Sequence, residues 1–98
     1  METHRAIIVN NMDNVATTLS DLAVGDQVTM MGTGNPDGIA ARQPIPFGHK
    51  IALTAIAEGE PIVKYGEVIG RATQRITPGN HVHIHNVESL RGRGDVHE

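Results

Sequence analysis

Glycine recurs at a fixed place in three stretches of this chain, and that recurrence limits the fold more than any other feature. Ala16, Leu22, Gly25 and Val28 stand in "VATTLSDLAVGDQV", and Ala52, Ile56, Gly59 and Ile62 in "IALTAIAEGEPI". Ala72, Ile76, Gly79 and Val82 stand in "GRATQRITPGNHV". Each stretch ends as apolar-x-x-Gly-x-x-apolar, and the last two copies lie 20 residues apart at every matched position. In each copy an apolar residue packs, a glycine able to take positive φ turns the chain, and a new strand starts. Three such corners in 98 residues describe a compact all-β fold of short strands.

The rest of the pattern has period two rather than 3.6. Arg5 to Val9 reads as a first strand, and Gln27-Val28-Thr29-Met30 and His81 to His85 alternate in the same way. Helix is confined to one or two short turns, over Val15 to Leu22 and over Ile51 to Ala57, because neither carries a long apolar stripe. The glycine-containing run Gly32 to Gly38 reads as a connecting loop. It lacks the lysine and the following helix that a phosphate cradle needs. The polar end of the chain, residues 91–98, reads as a tail on a domain spanning residues 5–90.

Composition excludes several classes of function. The net charge of −3 offers no basic face for nucleic acid, and Phe47 and Tyr65 are too few aromatics to stack bases. With no cysteine, thiolate ligands, disulfides and a cysteine nucleophile are all absent. No apolar run is long enough to span a membrane or serve as a signal peptide, so a cytoplasmic location is expected.

The chemistry concentrates in "GNHVHIHN", Gly79 to Asn86, which holds three of the six histidines. On an extended strand His81, His83 and His85 share one face at about 7 Å spacing, with Val82 and Ile84 turned to the core. Three imidazoles on one flat strand do not converge, so at most two reach one ion and further ligands come from elsewhere. A solvated polar strand face is the plain alternative. In "PFGHK", Gly48 presents His49, and Lys50 on a strand points to the opposite side. In "VKYGEVIGRA", Gly66 and Gly70 bracket a four-residue run, as a hairpin and a following turn would, with Lys64 and Tyr65 as candidate partners of an acid. A surface turn at His49 and a core-capping Tyr65 are the corresponding structural readings. The scattered acids form no dyad.

The GHK, KYG and G-x-H-V-H-x-H-N elements, in this order between Gly48 and Val87, resemble the SAF domain that begins altronate and galactarate dehydratases. They also resemble the small subunit of two-component members such as sulfolactate sulfo-lyase. The resemblance implies a β-clip-like all-β fold. It also implies lyase chemistry that eliminates water or sulfite from a sugar acid or related 2-hydroxy acid, with a divalent metal, Fe(II) or Mn(II), and a separate large catalytic subunit. It carries catalytic roles to His49, His83 and His85, substrate contacts to Lys50, Lys64, Tyr65 and Asn86, and metal ligation to His83 and His85. Galactarate-type members share the GHK and YG elements but not the histidine strand. The shared site residue is therefore His49, and the triplet is a substrate-specific or metal-assisting feature. The alternative function is a non-catalytic lid or sugar-acid-binding module.

Overall fold

Among the described residues nine strands, none longer than six residues, are joined by tight corners. The computed structural model describes residues 4–32 and 38–89, and every regular element among them is a strand. These are β1 (His4–Ile8), β2 (Val15–Thr18), β3 (Gln27–Gly32), β4 (Ile39–Ala40), β5 (Lys50–Ala52), β6 (Pro61–Lys64), β7 (Glu67–Ala72), β8 (His81–Val82) and β9 (Val87–Ser89). Six strands form one sheet in the order β4-β3-β1-β2-β5-β8, and β6-β7-β9 form a second. Among the described residues only β1 and β3 pair in parallel, because β2 and one corner supply the crossover between them. The tail and the centre of the Gly32–Gly38 loop, residues 90–98 and 33–37, lie outside the described residues.

The corners follow the glycine repeat, and there are four of them. The copy missing from the sequence reading is Ala41-Ile45-Gly48-Ile51, which has the same spacing as Ala52-Ile56-Gly59-Ile62. In the first copy the residue equivalent to these alanines is Thr18, not Ala16. Thr18 is fully buried, and its hydroxyl donates to the carbonyls of Pro46 and His49, each at 3.0 Å, so the polar group has partners inside the fold. All four glycines take positive φ, from 86° at Gly48 to 93° at Gly25.

The corners work in pairs. Leu22 and Ile45 exchange two backbone hydrogen bonds, and Ile56 and Ile76 do the same. Gly25 N–H donates to Ala41 and Gly48 N–H to Thr18, and Gly59 and Gly79 donate in the same pattern to Ala72 and Ala52. Corner 18–28 is thus clasped to corner 41–51, and corner 52–62 to corner 72–82. Each clasp satisfies backbone groups that a tight turn would otherwise bury unpaired.

Two cores result, and one ribbon serves both. In the β2–β5 pair, Ala16 stands opposite Ile51 and Val15 opposite Ala52. Ala16 and Ile51 belong to the core with Leu22, Val28, Met30 and Ile45. Val15 and Ala52 belong to the core with Ile56, Ile62, Ile76 and Val82. Successive side chains of a strand point to opposite faces, so this ribbon is buried on both. The two sheets are also tied through Asn14, whose side chain accepts from Val63 N–H and donates to the Pro61 carbonyl.

Several expectations are corrected here. Residues 15–18 and 50–52 are strands rather than helical turns, because Val15 and Ala16 alternate between two cores, as do Ile51 and Ala52. The β6–β7 hairpin turns at Tyr65-Gly66, both with positive φ (57° and 77°), as a two-residue hairpin requires. Gly70 is not in a turn. It lies inside β7, where an added Cβ would come within 2.6 Å of the Glu88 carbonyl of β9. Tyr65 is 54% exposed and so caps no core.

Candidate functional site

The extended histidine strand ends early. β8 stops at Val82, and the next four residues form a turn in which Asn86 N–H donates to the His83 carbonyl at 3.0 Å. Asn86 causes this. Its side chain is buried, its Oδ1 accepts from His83 N–H at 2.9 Å, and its Nδ2 donates to the His81 carbonyl at 2.8 Å. A buried amide stays buried when both ends are bonded, and here both are bonded to the backbone carrying the histidines. Ile84, expected in the core, instead sits on the turn and is 84% exposed. Val82 faces the core as expected.

This bend gathers rings that a flat strand would hold apart. β5 pairs with β8 so that Lys50 lies opposite Val82, which brings the end of the Pro46–His49 turn beside the histidines. His49 Nδ1 lies 2.9 Å from His81 Nε2, a hydrogen bond in which one ring holds the proton and the other accepts it. The His49 and His83 rings stack at 4.0 Å between centroids, and His81 and His83 at 5.5 Å. His85 joins from the side, tilted 44° to His81 at 5.1 Å. Ring nitrogens of His49, His81 and His83 all lie within 4.8 Å of one another, and His85 is not in that group.

The electrostatics follow from this crowding. Partial burial lowers His81 to about 4, with His85, His49, His83 and Lys50 adding to the effect. His83 is lowered for the same reasons, burial first and then His49, Lys50 and His85. Both shifts favour the neutral imidazole, the form that can accept a proton or bind an ion. Burial also lowers Lys50, helped by the neighbouring charge of Lys64.

A half-open pocket of about 340 Å³ adjoins the cluster and is lined by Lys50, Glu67, Val68, Ile69, His83, Ile84, Val87 and Ser89. Lys50 and His83 thus belong to the pocket wall, while His49 reaches His83 by stacking. Lys64 lies over the Tyr65 ring with Nζ 4.8 Å from its centroid, at the tip of the β6–β7 hairpin. Neither of these two lines the pocket, and Asn86 acts on the site through the histidine turn. Sequence reasoning gave His81 no role of its own, although it is the ring that touches both His49 and His85. The missing signal was the long-range β5–β8 pairing.

A short-stranded all-β domain with an imidazole cluster beside an open pocket is the class that the geometry defines. Residues 4–90 match the family described as the altronate/galactarate dehydratase SAF domain, and the chain belongs to that family. It is 42% identical over 83 residues to the altronate dehydratase of Escherichia coli K12, which covers 85% of this chain and 16% of that protein. It is 48% identical over 50 residues to the (2R)-sulfolactate sulfo-lyase subunit alpha of Chromohalobacter salexigens, 51% of this chain and 53% of that one. It is also 42% identical over 74 residues to the galactarate dehydratase of Escherichia coli K12. The chain spans about a sixth of the altronate dehydratases it matches and about half of that sulfo-lyase subunit. Among the described residues, no helix is long and apolar enough to cross a membrane.

Proposed function

We propose that this chain is the small subunit of a two-component, metal-dependent lyase of the cytoplasm, eliminating water or sulfite from a sugar acid or related 2-hydroxy acid such as altronate. The observation that carries the reading is the His49–His81–His83 cluster opening onto a pocket that Lys50 shares. Support also comes from relatives that are altronate dehydratases and sulfo-lyase alpha subunits. The rest of the active site comes from a large dehydratase subunit that closes the half-open pocket.

The chemistry fits these residues. Elimination breaks a C–H bond next to a carboxylate and a C–O or C–S bond on the neighbouring carbon. His49, His83 and His85 are the acid–base or ligand groups, and whichever of these imidazoles does not hold the ion takes the proton. The acid that protonates a departing hydroxyl comes from the same uncoordinated imidazole or from the large subunit. Lys50 pairs with the substrate carboxylate, and Lys64 and Tyr65 at the hairpin tip guide the rest of the acid. A bound divalent ion, Fe(II) or Mn(II), supplies charge stabilisation for the developing enediolate. His83 and its neighbours are the residues to hold it.

The test is co-expression with a large dehydratase subunit, followed by a turnover screen over hexonates, hexarates and sulfolactate. Elimination from at least one substrate is expected, with a loss of about 100-fold or more in kcat/KM for His83→Ala. A verified complex that turns over none of them leaves only the lid or binding-module function.

A further inference from the structure

We infer that His49, His81 and His83 form a divalent-cation site of this chain alone, a three-imidazole site with open positions, in which His81 rather than His85 is the third ligand. This deepens the metal part of the lyase reading but stands on separate geometry. The three side chains come from two segments 32 residues apart, and all three offer a ring nitrogen within 4.8 Å of the other two. Four-coordinate sites with nitrogen bonds near 2.0–2.1 Å place donor atoms roughly 3.3 Å apart. The widest pair must therefore close by at most about 1.5 Å, a movement two rings share by side-chain rotation. The hydrogen-bonded pair, His49 Nδ1 and His81 Nε2 at 2.9 Å, must open slightly. For both of these nitrogens to become ligands, the ring that holds the shared proton moves it to its other nitrogen. No net proton is released.

The backbone under the ligands is already fixed. His49 N–H donates to the Pro46 carbonyl, and the His49 carbonyl accepts from both the Thr18 N–H and its hydroxyl. His81 N–H donates to Gln43 Oε1 at 2.8 Å. The His81 carbonyl and the His83 N–H are both held by Asn86. Partners that orient ligands in this way are part of a metal site's design. His85 lies on the exposed turn outside this set.

The donor set also selects the ion. Three neutral imidazoles, with no carboxylate in the group and no cysteine in the chain, suit Zn(II), Co(II) and Fe(II). They suit hard ions such as Mg(II) poorly, and Mn(II) stands lowest in the first-row series. The nearby Lys50 disfavours all cations alike and does not change this order.

The experiment uses the whole chain, metal-stripped and without any partner. Isothermal titration with Zn(II), and Co(II) absorption as a geometric readout, should give one ion per chain. Mn(II) and Mg(II) should bind at least about 100-fold more weakly. His81→Ala and His83→Ala should each weaken Zn(II) binding by about 100-fold or more, and His85→Ala by no more than about fivefold. His4→Ala serves as the control, and circular dichroism confirms folding. If His81→Ala does not fold, His83→Ala, on the turn, still decides. Absence of binding overturns the inference. So does wild-type affinity in His81→Ala or His83→Ala, or a His85→Ala loss equal to that of His81→Ala. Metal binding without turnover in the two-subunit assay would strike the lyase reading alone, and turnover without metal on the isolated chain would strike this site alone.

Discussion

The clasped corners 18–28 with 41–51, and 52–62 with 72–82, share one hydrogen-bond scheme and differ in the residue after each glycine. That residue is Asp26, His49, Glu60 or Asn80. Asp26 and Glu60 fold back on their own turns, accepting from Ala23 N–H at 2.7 Å and Ala57 N–H at 2.8 Å. His49 instead reaches out to His81, the residue after Asn80. In each pair, then, one corner is latched by its own acid and the other carries or adjoins an imidazole. The site forms where the second kind of corner from one pair meets its counterpart from the other, across β5 and β8. The lesson is that the backbone of a corner supports itself, which leaves the position after the glycine available for chemistry.

The largest effects should come from breaking each half at the same place. Ile45→Ala and Ile76→Ala remove fully buried side chains from different cores. Each should lower stability by about 2–4 kcal/mol in urea unfolding. Because the ribbon belongs to both cores, each variant should still unfold in a single transition. Two separate transitions would show that the halves are independent.

Removing the latches should do less. Glu60→Ala should cost about 1 kcal/mol. Asp26→Ala should cost somewhat more, since Asp26 also lies 3.4 Å from His4 Nε2. The double variant should be additive within about 0.5 kcal/mol, as the latches sit in different clasps. Strong non-additivity would mean the pairs are coupled beyond their shared ribbon.

The imidazole corners should show themselves in pH dependence. His81 titrates near 4 in the folded chain and near its ordinary 6.5 when unfolded. The unfolded state therefore binds more protons between these values. The stability due to a neutral His81 is complete above pH 6.5 and is lost as pH falls toward 4. The melting temperature of the wild type should fall more steeply over that window than that of His81→Gln. Equal slopes would show that His81 is not depressed.

The smallest effect separates neighbours of one ring. Among the charges acting on His81, His85 outweighs His49. An NMR titration should show the His81 pKa rising in both His85→Ala and His49→Ala, and rising more in the first. The reverse order would mean that the direct 2.9 Å contact, not the turn, sets its basicity.

The frame was legible in the sequence because a glycine that must take positive φ leaves a mark at a fixed spacing. What stayed hidden was hidden for physical reasons. Thr18 occupies a position that alanine holds in the other three corners, and an apolar pattern passes over a hydroxyl whose partners, Pro46 and His49, are remote in sequence. Val15 to Leu22 suggested a helical turn because a four-residue strand buried on both faces has no alternation to read. The histidines suggested a flat strand because the agent that bends them, Asn86, acts from beyond the alternating run. Which residues are candidates for the chemistry could be read from composition and resemblance; which of them touch depends on the pairing of Lys50 with Val82, and no local pattern encodes it.

The shared ribbon also fixes what lengths this chain can have. Deleting Lys50 would shift Ile51 and Ala52 by one position along their partner strand and so turn each to the opposite face. Ile51 would then be delivered to the chamber built for Ala52, and Ala52 to the one built for Ile51. One chamber would be overfilled and the other left hollow by the same event. Variants of this domain should therefore tolerate insertions at their bends far more readily than any change in the residue count of these three positions.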